Sequence, residues 1–426
     1  MKKTETSLMR TSTEILEKHP EWVDVWGLAP IFSLVRQAGG EIRVVGGALR
    51  DALRGVPIKD IDFATTLLPE QVRVAFEAAG YKVVPTGIKH GTVTVIVNAK
   101  NYEITTLRRD LATDGRHARV GFTASWEEDA ARRDFTINAL YMDEEGVLYD
   151  YHKGLADVKA HRLVFIGDAR LRIQEDALRI LRYFRFTAAL GLTEKSQIDL
   201  ASFQACCDLR SLIDNLSAER IRHELMVLLS TPSPLFALQL MAEAAVLPHL
   251  LSGVTTVGFV PALLKVEAQR KVRASPFGRL LALTSDQTPL ALAKRLRFSR
   301  QETKQFISLY QGYLRLKTRC DEATLLQLLY RVGGERARDC VLLVQAVGCA
   351  VSDNLYNILD VHHNTPAFPL SGRDILGLGI APGEKVGEFL SRALSWWTMQ
   401  AYRPTRDECL AFLKNLMGKR LGRKDQ

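Results

Sequence analysis

Asp60 and Asp62, in Lys59-Asp60-Ile61-Asp62-Phe63, lie one residue apart and closely follow the glycine pair of Val45-Gly46-Gly47-Ala48-Leu49-Arg50-Asp51. In an extended strand alternate side chains share a face, so both carboxylates converge on one spot while Ile61 and Phe63 turn inward. Paired carboxylates suit a hard divalent cation, which keeps several waters and takes substrate phosphates as further ligands. That is the chemistry of metal-dependent phosphoryl transfer. Glu103, opening Tyr102-Glu103-Ile104, is the best placed third carboxylate.

The elements that must position these groups are legible nearby. The apolar run Ile42 to Val45, the glycine pair and Ala48 to Gly55 read as strand, tight turn and short helix. Amides at such a turn can face a triphosphate. Further strands are expected at Asp62 to Ala64, Thr92 to Val97, Tyr102 to Leu107 and Leu148 to Tyr151, and helices at Pro69 to Ala79 and Glu127 to Leu140. From about Asp168 the pattern becomes almost wholly helical. Ser217 reads as the N-cap of a helix from Ala218 to Leu229 that Thr231-Pro232-Ser233-Pro234 ends.

The ordered motifs resemble the class II tRNA nucleotidyltransferases and bacterial poly(A) polymerases, within the DNA polymerase beta superfamily. The resemblance rests on the glycine pair with Asp60 and Asp62, on Lys89-His90-Gly91-Thr92, on Tyr102 to Arg108, on Arg132-Arg133-Asp134-Phe135-Thr136-Ile137-Asn138, on Glu175-Asp176-Ala177-Leu178-Arg179, and on Leu216-Ser217-Ala218-Glu219-Arg220-Ile221. It spans residues 40 to 230. It implies an α+β chain: an N-terminal α/β nucleotidyltransferase head with a mixed sheet, followed by an all-helical neck, body and tail. The expected divisions are 1–38 (helical segment packing on the head), 39–167 (catalytic head), 168–232 (nucleotide-selecting neck), 233–365 (body) and 366–426 (RNA-binding tail).

The resemblance further implies two Mg²⁺ ions on Asp60, Asp62 and Glu103, bridging a primer 3′-hydroxyl and the nucleotide phosphates. Gly46, Gly47, Arg50, Arg133, Asp134, Asn138 and Arg182 are expected at the nucleotide, with Arg133 on triphosphate, Asp134 on ribose and Asn138 in support. Arginine donates paired hydrogen bonds to phosphate, and aspartate accepts from a ribose hydroxyl. Arg185 and Arg220 are assigned to RNA.

Base selection has a physical rationale in Asp176 and Arg179, expected three residues apart on one helix and thus both facing one base edge. Aspartate accepts from an exocyclic amine and arginine donates to a ring acceptor. Cytosine and adenine present that pair. Uracil and guanine reverse it, at about 1–3 kcal/mol for each charged group left unpaired. Glu175, four residues before Arg179, would orient the guanidinium.

The expected activity is template-independent addition of CMP and AMP from CTP and ATP to the 3′ end of tRNA, releasing pyrophosphate. A poly(A) polymerase, or an enzyme adding only A or only CC, is the alternative. From a different class, a silent RNA-binding scaffold predicts damage to the carboxylate set, and none is visible. Residues 108–121, polar with Gly115, read as a mobile loop; the family places a loop helping the change from C to A addition there, and Arg116-His117-Ala118-Arg119 departs from its pattern.

Composition agrees. A formal charge of +9 and pI near 9.2 fit a polyanionic partner. Six cysteines without a Cys-x-x-Cys pair indicate neither a zinc site nor a disulfide framework. No apolar run reaches the ~20 residues of a membrane span, and the opening residues suggest no signal peptide, so a cytoplasmic address is expected and no membrane partner. Oligomeric state is left open. His362-His363 reads as linker rather than a phosphohydrolase motif, Trp396-Trp397 as core, Gly377 to Gly387 as turns between short helices, and Lys419 to Lys424 as a basic end.

Overall fold

Strict alternation builds the sheet of the head. In Thr92–Val97 the valines at 93, 95 and 97 are buried while the intervening residues are half-buried, the signature of a strand with one face on a core. The computed structural model describes residues 27–421 apart from Thr86, Lys89, His90, 114–117, Ser285 and Asp286. The expected helical segment before residue 27, Lys89-His90, the centre of the 108–121 loop and the end of the basic tail therefore lie outside the described residues.

Nine strands are present among these residues: β1 Ile42–Val45, β2 Asp62–Thr65, β3 Lys82–Val84, β4 Thr92–Val97, β5 Lys100–Thr106, β6 Arg108–Thr113, β7 Ala118–Phe122, β8 Leu140–Met142 and β9 Leu148–Asp150. Seven form one sheet in the order β3-β4-β5-β2-β1-β8-β9, and β6-β7 form a separate ribbon. Within the sheet β2 and β5 run parallel and the other pairings are antiparallel. The sheet is mixed, as expected. Helices α1 Ala29–Gln37, α2 Gly47–Leu53, α3 Pro69–Ala78, α4 Trp126–Ala131, α5 Gly154–Lys159, α6 Ala169–Glu175, α7 Leu178–Ala189, α8 Leu200–Asp208 and α9 Ala218–Ser230 complete the N-terminal part up to residue 230.

Three expectations are corrected. The helix expected from Glu127 to Leu140 ends at Ala131, and a turn, the 3-10 helix Thr136–Asn138 and strand β8 come after it. Arg132-Arg133-Asp134 thus lies just beyond a helix rather than within one. The polar segment after Leu107 is partly a two-stranded ribbon, with a register shift between Asp110 and Ala112. The single helix expected to carry Asp176 and Arg179 is broken: Asp176 is extended, at φ −151°, between α6 and α7. Its carboxylate accepts from the Leu178 amide at 3.1 Å, the behaviour of a cap residue.

The turn behind this break is held by close packing. A Cβ on Gly154 would stand 2.1 Å from the Thr136 carbonyl, so α5 approaches the 3-10 helix through a position only glycine fills. Phe135 is buried against Phe165, Tyr183 and Phe186 at centroid distances of 4.7–6.3 Å. Burial of each such ring contributes roughly 1.5–3 kcal/mol, and α7 is thereby fixed against the segment that carries Arg133 and Asp134.

The described chain divides into two compact units, one made of the described residues up to Glu224 together with Thr231–Leu250, the other of Leu225–Ser230 and the described residues from Leu251 onward. The second is helical throughout its described elements. Within it Arg279, 1% exposed, donates to both Glu267 oxygens at 3.0 and 2.6 Å and to the Leu229 carbonyl at 2.7 Å. Trp397 is buried, its indole N–H donating to the Pro404 carbonyl, and Trp396 stacks on Phe412 at 4.5 Å. Trp397 is core, as expected, and half-buried Trp396 packs against the same cluster. The short helices expected across Gly377 to Gly387 give way after Gly383 to a 16-residue helix, Glu384–Met399, with Gly387 inside it.

Candidate active site

Gly46 turns the chain from β1 into α2 at φ +77°, a conformation that L side chains rarely adopt. Its amide donates to the Leu140 carbonyl at 3.1 Å, so the turn is tied to β8. The parallel pairing of β2 with β5 sets Asp62 directly opposite Glu103. Asp60 lies in the loop before β2, not in the strand itself, but shares a cavity of about 520 Å³ with Asp62 and Glu103.

The Asp62 carboxyl feels its two neighbours. Asp62 reaches solvent in the open cleft, yet the surrounding walls and then the Glu103 and Asp60 charges push its carboxyl up to about 6, against the pull of Arg133. An all-oxygen, mutually repelling donor set fits a hard cation. Among the described residues no group of three His, Cys, Asp or Glu side chains is close enough to enclose a metal, so Asp60, Asp62 and Glu103 share the cavity without converging as a three-carboxylate cage.

On the other side of Asp62 and Glu103 opens a second cavity, of about 610 Å³, that gathers Gly46, Gly47, Arg50, Arg133, Asp134, Asn138, Asp176, Arg179, Arg182 and Arg220. Nearly every residue assigned to the nucleotide from sequence meets here. Glu175 and Arg185 do not line it. Glu175 instead accepts from Arg179 Nη1 at 2.5 Å, orienting that guanidinium, while the carbonyls of Arg172 and Arg132 accept two more of its five hydrogens at 2.6 and 3.3 Å.

Asp176 is held by Arg220, whose Nη2 donates to both carboxylate oxygens at 3.0 and 2.8 Å. The broken helix therefore still brings Asp176 and Arg179 to one cavity, with Arg220 as an added partner. Asp134 is buried and accepts from the Phe135 amide, Asn138 Nδ2 and Arg182 Nε at 2.8, 3.1 and 2.6 Å. Burial alone would raise its carboxyl; the Arg182 charge and these hydrogen bonds outweigh that and hold it low. Asn138 Oδ1 accepts from Arg50 Nη1 at 2.8 Å, and Arg50 grips Asp51 through Nε and Nη2, both at 2.9 Å. Arg185 stands 2.9 Å from a Glu224 oxygen without hydrogen-bond alignment and lies over the Phe186 ring at 4.4 Å.

Sequence reasoning missed the support beneath Arg133. Asp129, 1% exposed, accepts from Arg132 Nε at 2.8 Å, Arg133 Nη2 at 2.9 Å, the Tyr141 hydroxyl at 2.8 Å and the Arg108 amide at 3.1 Å. The i, i+3 and i, i+4 spacing of Asp129 to the two arginines was the available signal. Arg172, also unassigned, donates to the Arg133 carbonyl at 2.7 Å and to the Arg132 carbonyl. Arg108 and Arg132 join the cavity too, making seven arginines against four carboxylates along its wall. Such an excess suits a triphosphate.

A mixed sheet that sets paired carboxylates beside a glycine turn and an arginine-rich cavity defines a nucleotidyltransferase head. Comparison with known proteins agrees. The Poly A polymerase head domain matches residues 42–164, and the "Probable RNA and SrmB- binding site of polymerase A" matches 197–256. The mitochondrial CCA tRNA nucleotidyltransferase 1 of Mus musculus is 34% identical over 405 residues, covering 91% of this chain and 90% of its own. A CCA-adding enzyme of Streptococcus pyogenes is 43% identical over 205 residues, about half of each chain. The crystal structure of the Bacillus stearothermophilus CCA-adding enzyme in complex with CTP superposes with a TM-score of 0.74 at 26% identity, covering 94% of this chain and 99% of that one. The Thermotoga maritima enzyme complexed with tRNA_CCA shares the fold, at a TM-score of 0.63 and 18% identity, over 96% and 98% of the two chains. The chain belongs to the CCA tRNA nucleotidyltransferase and poly(A) polymerase family, and it is a nucleotidyltransferase.

Proposed function

We propose that this enzyme adds C, C and A to the 3′ end of tRNA, taking CTP and ATP and releasing pyrophosphate without a template. The observation that carries the reading is the 34% identity to a CCA tRNA nucleotidyltransferase over nine-tenths of both chains. Poly(A) synthesis and partial addition are the outcomes it opposes.

The residues assigned from sequence divide the work of this reaction. Gly46 and Gly47 present backbone to the phosphates, where a side chain at 46 would meet the Asn138 carbonyl and the Arg133 guanidinium. Arg133 and Arg182 place positive charge on the triphosphate, each held by a carboxylate, Asp129 and Asp134 respectively. Asp134, through its remaining acceptor capacity, meets the ribose, and Asn138 locks Asp134 to Arg50. Asp176 and Arg179 read the base edge, with Glu175 and Arg220 as their orienting partners. Arg185 and Arg220 are assigned to RNA on the same reading.

Asp60, Asp62 and Glu103 would hold two Mg²⁺ ions. Such ions supply Lewis-acid charge that eases loss of the primer hydroxyl proton and departure of pyrophosphate. The chain itself supplies positioning: β2 and β5 hold two carboxylates in register, and the arginine wall fixes the leaving group. The proposal includes the division into head (39–167), neck (168–232), body (233–365) and tail (366–426), with the tail on RNA. It also includes a cytoplasmic address: no described helix is long and apolar enough to cross a membrane, though the mouse relative carries a mitochondrial name.

The test of the carboxylate roles is Asp62→Ala. The variant should bind tRNA and CTP but transfer no CMP, read as incorporation of labelled CMP into tRNA lacking its 3′ terminus. Turnover at the wild-type rate would remove Asp62 from the chemistry.

A further inference from the structure

The two cavities share only Asp62 and Glu103, so the carboxylate pair stands as a divider between them. One side is the arginine-lined cavity assigned to the nucleotide. The other spreads from the pair over β5, β4 and β3, where Asn101, Thr94, Ile96 and Val84 line it.

Strand register builds that second side. Asp62 pairs with Glu103, Glu103 with Thr94 and Thr94 with Val84, which makes one row across β2, β5, β4 and β3. A second row joins Asn101 to Ile96 and Ile96 to Lys82. Paired residues face the same way, and strands stand about 4.8 Å apart, so each row extends roughly 10–14 Å. That length holds one nucleoside. Thr94, Ile96 and Val84 are half-buried and Asn101 exposed, and the second row continues beyond the cavity to exposed Lys82, so the trough offers an apolar floor, hydrogen-bonding groups above it and a cation past its far end.

In-line phosphoryl transfer requires the attacking oxygen and the departing pyrophosphate on opposite sides of the phosphorus. With the triphosphate among the arginines, the attacking 3′-hydroxyl must approach from the side of the trough. We propose that this trough seats the last nucleotide of the RNA primer, its base or sugar on Ile96 and Val84, its polar edges on Thr94 and Asn101, and its phosphate toward Lys82. The assignment rests on the nucleotidyl-transfer reading and deepens it: Val84, Thr94, Ile96 and Asn101 position the attacking group rather than the incoming one.

The test uses the full chain and a tRNA that lacks its CCA end and carries 4-thiouridine as its last nucleotide. Irradiation before nucleotide is supplied should crosslink that base to peptides bearing Val84, Thr94 or Ile96. Extension of the same tRNA by CTP is measured in parallel. Crosslinks confined elsewhere on a tRNA that is extended would overturn the trough and leave the activity standing. A tRNA that no nucleotide extends would remove the activity and this assignment with it.

Two variants add an independent reading. Ile96→Glu, and Asn101→Asp on an exposed position that cannot disturb the core, each set a negative charge against the primer phosphate. Single-turnover addition should slow by about tenfold or more, the order expected when a reacting group is misplaced. CTP affinity should stay within about twofold, because the arginine cavity is untouched. A fold defect would move both quantities and the melting temperature. Unchanged addition rates in both variants, or equal losses of rate and CTP affinity in Asn101→Asp, would overturn the proposal.

Discussion

Replacing Asp129 by asparagine tests how the phosphate-facing arginines are held. The carboxylate is 1% exposed and meets Arg132, Arg133, Tyr141 and the Arg108 amide. Burial would raise its carboxyl; the Arg133 and Arg132 charges and hydrogen bonds overcome that and bring it down to about 2 from 3.8. A depressed acid contributes stability that is fully present above its unfolded value and is lost as pH falls through the folded one. At 1.36 kcal/mol per pH unit the displacement is worth about 2–3 kcal/mol at pH 7. For a unit of this size that corresponds to a melting shift of roughly 5–10 °C. Asp129→Asn keeps the shape and removes the charge, so thermal unfolding at pH 7 should show this loss, narrowing as pH falls from 4 toward 2. The KM for CTP should rise alongside, since Arg133 loses its partner. Unchanged melting and unchanged KM would refute the reasoning.

Two further predictions concern selection and pH. Arg179→Ala removes the donor assigned to the base edge, so discrimination between CTP and UTP should fall by about 10-fold or more, given roughly 1–3 kcal/mol per unpaired buried group; retained rejection of UTP and GTP in competition assays would count against the base-edge role. In the second unit, burial outweighs the Ser275 hydrogen bonds and pushes the Asp339 carboxyl up to about 6. A raised acid costs stability above that value and recovers it as pH falls toward 4, so Asp339→Asn should melt higher than wild type at pH 7–8, with the difference shrinking by pH 4–5; a difference that does not vary with pH would show that Asp339 does not titrate there.

The alternating valines of β4 and the carboxylate pair were legible because period-two patterning and residue type survive without tertiary context. β3 was not, being three residues long, and β8, equally short, begins only at Leu140, where the expected helix from Glu127 ends. The break at Asp176 had a trace, an aspartate able to cap the helix after it, but the amphipathic pattern ran unbroken across it. Asp62 opposite Glu103 depends on parallel pairing between distant strands, which no local pattern encodes. The same holds for Arg220, forty-four residues from the Asp176 it grips, and for the row from Asp62 to Val84. Local chemistry marked the reacting groups, while long-range register decided their partners.

The most direct test of the central claim is extension of a tRNA lacking its 3′ terminus, resolved to single nucleotides, with Mg²⁺ and CTP, ATP, UTP or GTP supplied singly and together. Addition that stops after C, C and A, with no use of UTP or GTP, is the predicted result. A long ladder of A on many RNAs, or tight binding of tRNA with no extension, would contradict it.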